Sequence, residues 1–264
     1  MKLVPSSLSL SHQQLILLAP YASHVPATFR NVFIDPRRYG SILVDMQRMR
    51  GRIYLEEGAI GRQQLDSNGR HRCPADTESW HLLTLDDRGF VSGCVRYREH
   101  RNTVSFHELG LKNCALAECR HWGGKLRAAV ESDLAAARRQ AISFVEVGGW
   151  ALAKERRCTG EAVRTALAMY GLAKILGDCV GIATATARNR SASILRRIGG
   201  EGLEIGGEKV PPYYDPQYKC QMEIVRFTSS SPNPKYWRWI DQIATTLLNV
   251  PVLSLTSAGA LAVA

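Results

Sequence analysis

One stretch, Phe144 to Gly200, limits what this chain can fold into more than any other. It opens with an apolar run carrying one carboxylate, Ser143-Phe144-Val145-Glu146-Val147-Gly148-Gly149-Trp150-Ala151-Leu152. A basic loop follows, Arg156-Arg157-Cys158-Thr159-Gly160-Glu161-Ala162. A helical pattern comes next, then a second apolar run, Val180 to Thr186, and then Asn189 and the helical Ile194 to Gly200. Strand, loop, helix and strand in this order predict an α/β unit. The spacing of Ala162, Val163, Ala166, Leu167, Tyr170, Ala173 and Leu176 predicts one inward helix face. Arg164, Thr165, Ala168, Gly171 and Lys174 fall on the other side, and Gly177 ends the helix.

Arg157-x-x-Gly160-x-Ala162 stands where the strand ends and the helix starts. The first-turn N–H groups there have no intrahelical acceptor and lie at the positive end of the helix dipole, which favours an anion. Gly160 permits close backbone approach, and Arg156 and Arg157 add charge. A plain strand–turn–helix with a solvated basic turn fits the same residues.

These motifs resemble the GNAT acyltransferase superfamily, whose loop for the cofactor pyrophosphate reads Q/R-x-x-G-x-G/A. Arg157, Gly160 and Ala162 stand at its defining positions. Ile194-Leu195-Arg196-Arg197-Ile198-Gly199 has leucine where acetyl-transferring members carry a tyrosine. In this it resembles the acyl-homoserine-lactone synthase branch and the related N-acyl amino acid synthases. Gly93-Cys94-Val95-Arg96-Tyr97 resembles that branch's G-x-x-R-L strand. Arg50 to Glu57 resembles its first helix, with an arginine four residues before the aromatic Tyr54. Glu146 falls on its strand-borne acid. The likeness runs over residues 43–227. Two departures stand out: Val147-Gly148-Gly149-Trp150 replaces Ser-Arg-Phe after the acid, and Tyr97-Arg98-Glu99-His100 replaces Leu-Pro-Thr. Both argue for an acceptor other than the homoserine-lactone precursor.

The resemblance implies a GNAT-like α/β (α+β) fold with a mixed, splayed sheet flanked by helices. It implies an N-acyltransferase moving a long-chain acyl group from an acyl carrier protein or CoA thioester to a small amine such as an amino acid. Glu146 would be the general base, its pKa raised by burial. Residues 156–162, namely Arg156, Arg157, Cys158, Thr159, Gly160, Glu161 and Ala162, would hold the donor. Gly148, Gly149 and Trp150 would form a bulge with oxyanion donors, and Arg96 would bind an acceptor carboxylate. The bland readings are a sheet-edge glutamate, glycines fitted to a close neighbour and a surface arginine. Leu195 leaves the departing thiolate without the tyrosine proton of the acetyl-transferring members. The implied donor is a thioester substrate, with no permanently bound cofactor and no metal.

The whole chain, 264 residues and 45% hydrophobic, can bury a full core. Its net charge of +10 favours an anionic partner. Acyl carrier protein, CoA phosphates and nucleic acid all qualify, but no nucleic-acid motif occurs. Two other classes stay open, a small-acyl, acetyl-CoA-dependent GNAT enzyme and a noncatalytic basic binding protein. Seven cysteines, an odd number without a C-x-x-C pair, argue for a reducing, cytoplasmic setting. Cys114, Cys119 and His121 have only half a zinc pattern. No run approaches membrane-spanning length, which leaves peripheral contact open.

Residues 1–42 read as an irregular or partly helical lead, and 43–227 as the acyltransferase domain. A helix is expected over 43–60, a polar loop over 61–78 and a helix over 124–141 that elaborates the substrate mouth. Trp80–Thr84 and Phe90–Tyr97 pair across Asp86-Asp87-Arg88-Gly89. Pro211 to Asp215 reads as a turn whose Tyr213 and Tyr214 either pack or line a pocket. Gln221 to Phe227 reads as the last strand. Residues 228–264 give a linker, an amphipathic helix over 235–249 and a tail, with Tyr236 and Trp237 among the inward residues of the helix.

Overall fold

The computed structural model describes residues 15–256. Residues 1–14 of the lead and 257–264 of the tail lie outside them. In chain order come β1 (Leu15–Leu18), β2 (Val32–Ile34), α1 (Pro36–Glu56), β3 (Trp80–Leu85) and β4 (Val91–His100). Then follow α2 (Gly123–Arg139), β5 (Ser143–Leu152), α3 (Glu161–Leu176), β6 (Cys179–Thr186) and α4 (Ser191–Arg197). Short strands β7 (Glu201–Gly202), β8 (Glu204–Ile205), β9 (Glu208–Lys209) and β10 (Tyr213–Asp215) lead to β11 (Cys220–Thr228). The described chain closes with α5 (Trp237–Leu247) and β12 (Val252–Ser254). The fold is mixed α/β, as the resemblance implied. The chain forms two compact units, residues 15–97, 149–175 and 238–256 in the first and 98–148 and 176–237 in the second.

The sheet of the first unit runs β4-β3-β1-β12-β2. Asp86 closes the β3–β4 hairpin, accepting from the N–H groups of Arg88 and Phe90 through its side chain, while Gly89 turns at φ +82°. The strands pair antiparallel from Trp80↔Tyr97 to Thr84↔Gly93. Helix α1 starts at Pro36 behind Asp35, whose carboxylate accepts from Arg38 N–H at 2.9 Å, a cap with proline in the first turn. Its Tyr39, Leu43, Met46 and Ile53 pack on Leu18, Leu83 and Leu253. Helix α3 is buried on every side from Thr165 to Ala173, not on one face as its pattern predicted. Its small residues Ala168 and Gly171 allow this. A Cβ at Gly171 would lie 3.2 Å from the backbone nitrogen of Ala244 on α5.

In the second unit β5 pairs parallel with β6 from Ser143↔Cys179 to Val147↔Ala183, and β6 continues to β11 and β10, all antiparallel steps. Helix α2 lays Leu126, Val130 and Leu134 on Phe144, Ile182 and Ile224. At Gly181 an added Cβ would lie 2.1 Å from the Phe227 ring, so only glycine leaves room for that aromatic.

Several expectations need correction. The lead is not irregular throughout: it supplies β1, β2 and the first turns of α1. Tyr213 to Asp215 is a strand paired with β11, and β11 is not the last strand, because β12 follows and lies between β1 and β2. Trp237 is 54% exposed, whereas Tyr236 is buried.

Candidate active site

The first unit holds the basic loop, the glycine pair's second member and a buried charge cluster. Strand β5 carries Gly149 at φ +62°, the left-handed region that suits glycine and breaks a regular strand. Pairing of β5 with β6 ends at Val147, just before Gly148 and this irregularity. Cys94 donates its thiol to the Gly149 carbonyl at 3.1 Å. A Cβ at Gly149 would lie 3.3 Å from Arg96 Cβ and 3.5 Å from Arg50 Nη1. The structure thus brings Arg96, Gly149 and Arg50 together.

Arg50 sits on the apolar stripe of α1 with Met46, Met49 and Ile53, and only 1% of it is exposed. A guanidinium there demands a buried partner, and Asp76 supplies it. Its two oxygens accept from Arg50 at 2.9 and 2.7 Å. Gln47 Nε2 at 3.0 Å and Cys73 N–H at 3.1 Å complete the shell of Asp76. Burial works against the charge of this carboxyl, but the Arg50 bonds outweigh it and bring its pKa to about 2. Arg96 reaches toward Asp76 at 3.8 Å and donates to Cys73 Sγ at 3.0 Å. His81 Nε2 pairs with the Asp76 carbonyl at 2.8 Å. The Arg50 guanidinium also donates to the His71 carbonyl at 2.6 Å. The His71 ring lies 5.5 Å from that of Tyr54, whose hydroxyl donates to the Trp150 carbonyl at 3.5 Å.

Within this cluster four buried polar atoms lack a hydrogen-bond partner among the described residues: Arg50 Nε, Arg96 Nε, His71 Nδ1 and Trp150 Nε1. Buried polar atoms are rarely left so. Two of the four belong to Arg50 and Arg96, the side chains packed at Gly149.

The basic loop continues directly from β5. Thr159 Oγ1 accepts from Glu161 N–H at 3.1 Å and donates to the Arg156 carbonyl at 2.7 Å, which ties the loop to the first residue of α3. Cys158 turns at φ +58° and is exposed. Gly160 and Ala162 are half-buried at the helix start. Several of the predicted side chains are engaged within the chain. Glu161 is buried, accepting from Thr84 at 3.1 Å and pairing with Arg164 at 3.1 Å. Arg157 pairs with Glu57 and donates to the Leu152 carbonyl, and Arg156 donates to the Leu85 carbonyl at 3.3 Å.

Glu146 belongs to the second unit. Its carboxylate accepts from His100 Nε2, Gly110 N–H and Leu111 N–H, each at 3.0 Å, with Arg98 at 3.9 Å. Burial pushes its pKa up, as expected from the sequence, but those hydrogen bonds prevail and hold the carboxyl below its ordinary range. The expected raised pKa is therefore corrected. Two of these donors are backbone N–H groups, so the carboxylate ties β5 to the 106–113 turns, while Oε1 accepts a single hydrogen bond and keeps a lone pair open. Leu195 packs with Ala185, Ala192 and Val225 in the same unit.

Asp76, His71 and the donors on Glu146 were not singled out from the sequence. Arg50 offered one signal, a charge on an apolar helical stripe. The 61–78 loop that carries His71 and Asp76 offered none.

No family model matches the chain. No curated protein matches it in sequence. Among solved structures, the CoA-dependent acyl-homoserine lactone synthase BjaI with SAM and isopentyl-CoA is similar at TM-score 0.53 and 13% identity, over 91% of this chain and 92% of that one. The same synthase with MTA gives 0.52 at 13% identity, over 91% and 92%. FeeM, an N-acyl amino acid synthase from uncultured soil microbes, gives 0.46 at 12% identity, over 81% of this chain and 94% of its own. The chain therefore has the fold of the acyl-homoserine lactone synthases, the branch its sequence motifs resemble.

Proposed function

We propose that this chain is an acyltransferase that moves an acyl group from a thioester to a small polar amine. One observation carries this reading: buried polar atoms of Arg50 and Arg96 without a partner stand at Gly149, on a strand whose basic loop leads to the start of α3. The first feature suits a polar acceptor, and the second suits the phosphates of a thioester cofactor. Because Arg157 is engaged by Glu57, backbone N–H groups of the α3 start meet the phosphates first. Glu146 anchors the turns around Gly110 and keeps an Oε1 lone pair for the amine proton.

The finer reading is a long-chain acyl donor carried by acyl carrier protein or CoA, with an amino acid as acceptor. Leu195 and the excess positive charge support it, since an acidic carrier protein would be steered to a basic surface. The reading is tested by thiol release from octanoyl carrier protein, octanoyl-CoA and acetyl-CoA, each with a panel of free amino acids. Salt-weakened turnover with the carrier-bound octanoyl group is expected. Turnover confined to acetyl-CoA would replace it with a small-acyl enzyme. Thiol release from none of the donors, with no binding of octanoyl-CoA, would end the acyltransferase reading.

A further inference from the structure

We propose that His100 is a positioning residue for Glu146: it occupies one carboxylate oxygen so that the other takes the proton of the acceptor amine. The inference rests on the acyltransferase reading above. In that reaction the amine nitrogen bonds to the acyl carbon and gives up a proton, while the carbon–sulfur bond breaks and its electron pair leaves on sulfur. Glu146 takes the amine proton and later returns it to water, and the thiolate gains a proton, so amine plus thioester gives amide plus thiol. Such a base must be ionised, fixed in orientation and open at one lone pair.

The hydrogen bonds on Glu146 are divided unequally. Oε2 accepts from His100 Nε2 and from Gly110 N–H, both at 3.0 Å, and Arg98 stands 3.9 Å from it. Oε1 accepts from Leu111 N–H at 3.0 Å. An ionised carboxylate can only accept, so His100 Nε2 carries the hydrogen of its bond. Each carboxylate oxygen offers two lone pairs, so Oε2 is filled and Oε1 keeps one. A Cβ on the exposed Gly110 would lie 3.4 Å from Oε1, so glycine there leaves that oxygen uncovered. The Glu146 side chain is 14% exposed and that of His100 6%, so the carboxylate is the member of the pair that reaches solvent.

Two backbone N–H groups already tie Glu146 to the 106–113 turns, and an anchor needs no third donor. His100 adds two things. It fills the second lone pair of Oε2, and it opposes burial, which acts against the charge of the carboxylate; its bond is the foremost influence on that side. The other charged groups here are Arg98, and Glu108 with Lys112 on the turns, Glu108 lying within electrostatic reach of His100. All three remain when His100 is replaced. His100 also belongs to Tyr97-Arg98-Glu99-His100, where the chain departs from the branch it resembles, so the pairing is a feature of this chain.

The test uses the full chain with octanoyl-CoA and free amino acids. His100→Ala, which removes the donor, should lower kcat about tenfold or more, with the KM values for donor and acceptor near the parent's. It should also move the acidic limb of the kcat profile up by about one pH unit, because Glu146 loses a hydrogen bond that favours its charged form. His100→Gln, which keeps an N–H donor, should recover most of both. In a Glu146→Gln background, His100→Ala should lower kcat no further, since the histidine acts through the carboxylate. Equal losses in His100→Ala and His100→Gln, an unmoved acidic limb, or a further loss in the Glu146→Gln background would show a merely structural histidine and overturn the proposal. Where His100→Ala does not fold, His100→Phe removes the donor and fills the space. If the parent neither binds octanoyl-CoA nor releases thiol with any amine, the acyltransferase reading fails and the His100 role with it. A parent that turns over while His100→Ala matches it refutes the His100 role alone.

Discussion

The buried Arg50–Asp76 pair predicts an asymmetry between its two members. Both side chains are 1% exposed. Breaking a buried ion pair by removing one partner typically costs about 3–5 kcal/mol, because the other charge stays buried without compensation. The two residues are not equally supported, however. Without Arg50, Asp76 still accepts from Gln47 at 3.0 Å and from Cys73 N–H at 3.1 Å, and Arg96 stands at 3.8 Å. It also has the option of binding a proton. Without Asp76, Arg50 retains the His71 carbonyl alone, and an arginine does not deprotonate. Hydrogen bonds to a charged group are worth about 1.5–3 kcal/mol each, so the two bonds left to Asp76 offset much of its loss. Asp76→Ala is expected to cost the full 3–5 kcal/mol, and Arg50→Met roughly half as much. The double variant should be less destabilised than the sum of the singles, since neither charge then remains. Urea denaturation at pH 7, read as midpoint and slope, measures all three. Equal single losses, an Arg50→Met loss exceeding that of Asp76→Ala, or strict additivity would refute the reasoning.

Three further outcomes are expected. Asp76 and Glu146 both have folded-state pKa values below the ordinary carboxylate range, so their contribution is complete above about pH 4 and is lost as pH falls through the folded values, near 2 for Asp76. Acid titration followed by circular dichroism should show this loss below about pH 4, and Glu146→Gln should shrink it; an unchanged acid limb would remove Glu146 from the account. Gly149→Ala places a Cβ at φ +62° and 3.3 Å from Arg96, and should cost about 1–2 kcal/mol while raising the acceptor KM more than that of the donor; a change in donor KM alone would contradict the placement of the acceptor. Gly181→Ala forces the Phe227 ring aside and should cost about 1–3 kcal/mol in thermal melts; a neutral result would mean that the ring shifts freely.

The long, locally patterned elements were legible in the sequence. The β3–β4 hairpin follows from its Asp-Gly turn, and β5, α3 and β6 follow from apolar period and the glycine at 177. Strands β1, β2, β10 and β12 have four residues or fewer, too short for alternation to register, and β1 finds its partner β12 only at the far end of the chain. The site divided in the same way. Gly149 was readable because a glycine pair in a strand is a local signal of an irregular backbone. The state of Glu146 was not, because two of its donors are backbone N–H groups 36 and 35 residues away. His71 and Asp76 sit in a polar stretch whose burial depends on α1 folding over it. The α3 pattern misled for a related reason: Thr165, Ala168 and Gly171 read as an outer face, yet their small side chains are buried, and α5 closes over Gly171.

The placement of β12 has a consequence for how the chain is made. Val252 to Ser254 slot between β1 and β2, both of which leave the ribosome more than two hundred residues earlier. The first unit therefore cannot close its sheet until residue 254 has emerged. Its early strands wait, with an open edge between them, until β12 has been made. The second unit, drawn from the middle of the chain, has all its strands earlier. Nascent chains halted before residue 250 would thus carry a complete second unit and an incomplete first, the stage at which chaperone capture or misassembly is most to be expected.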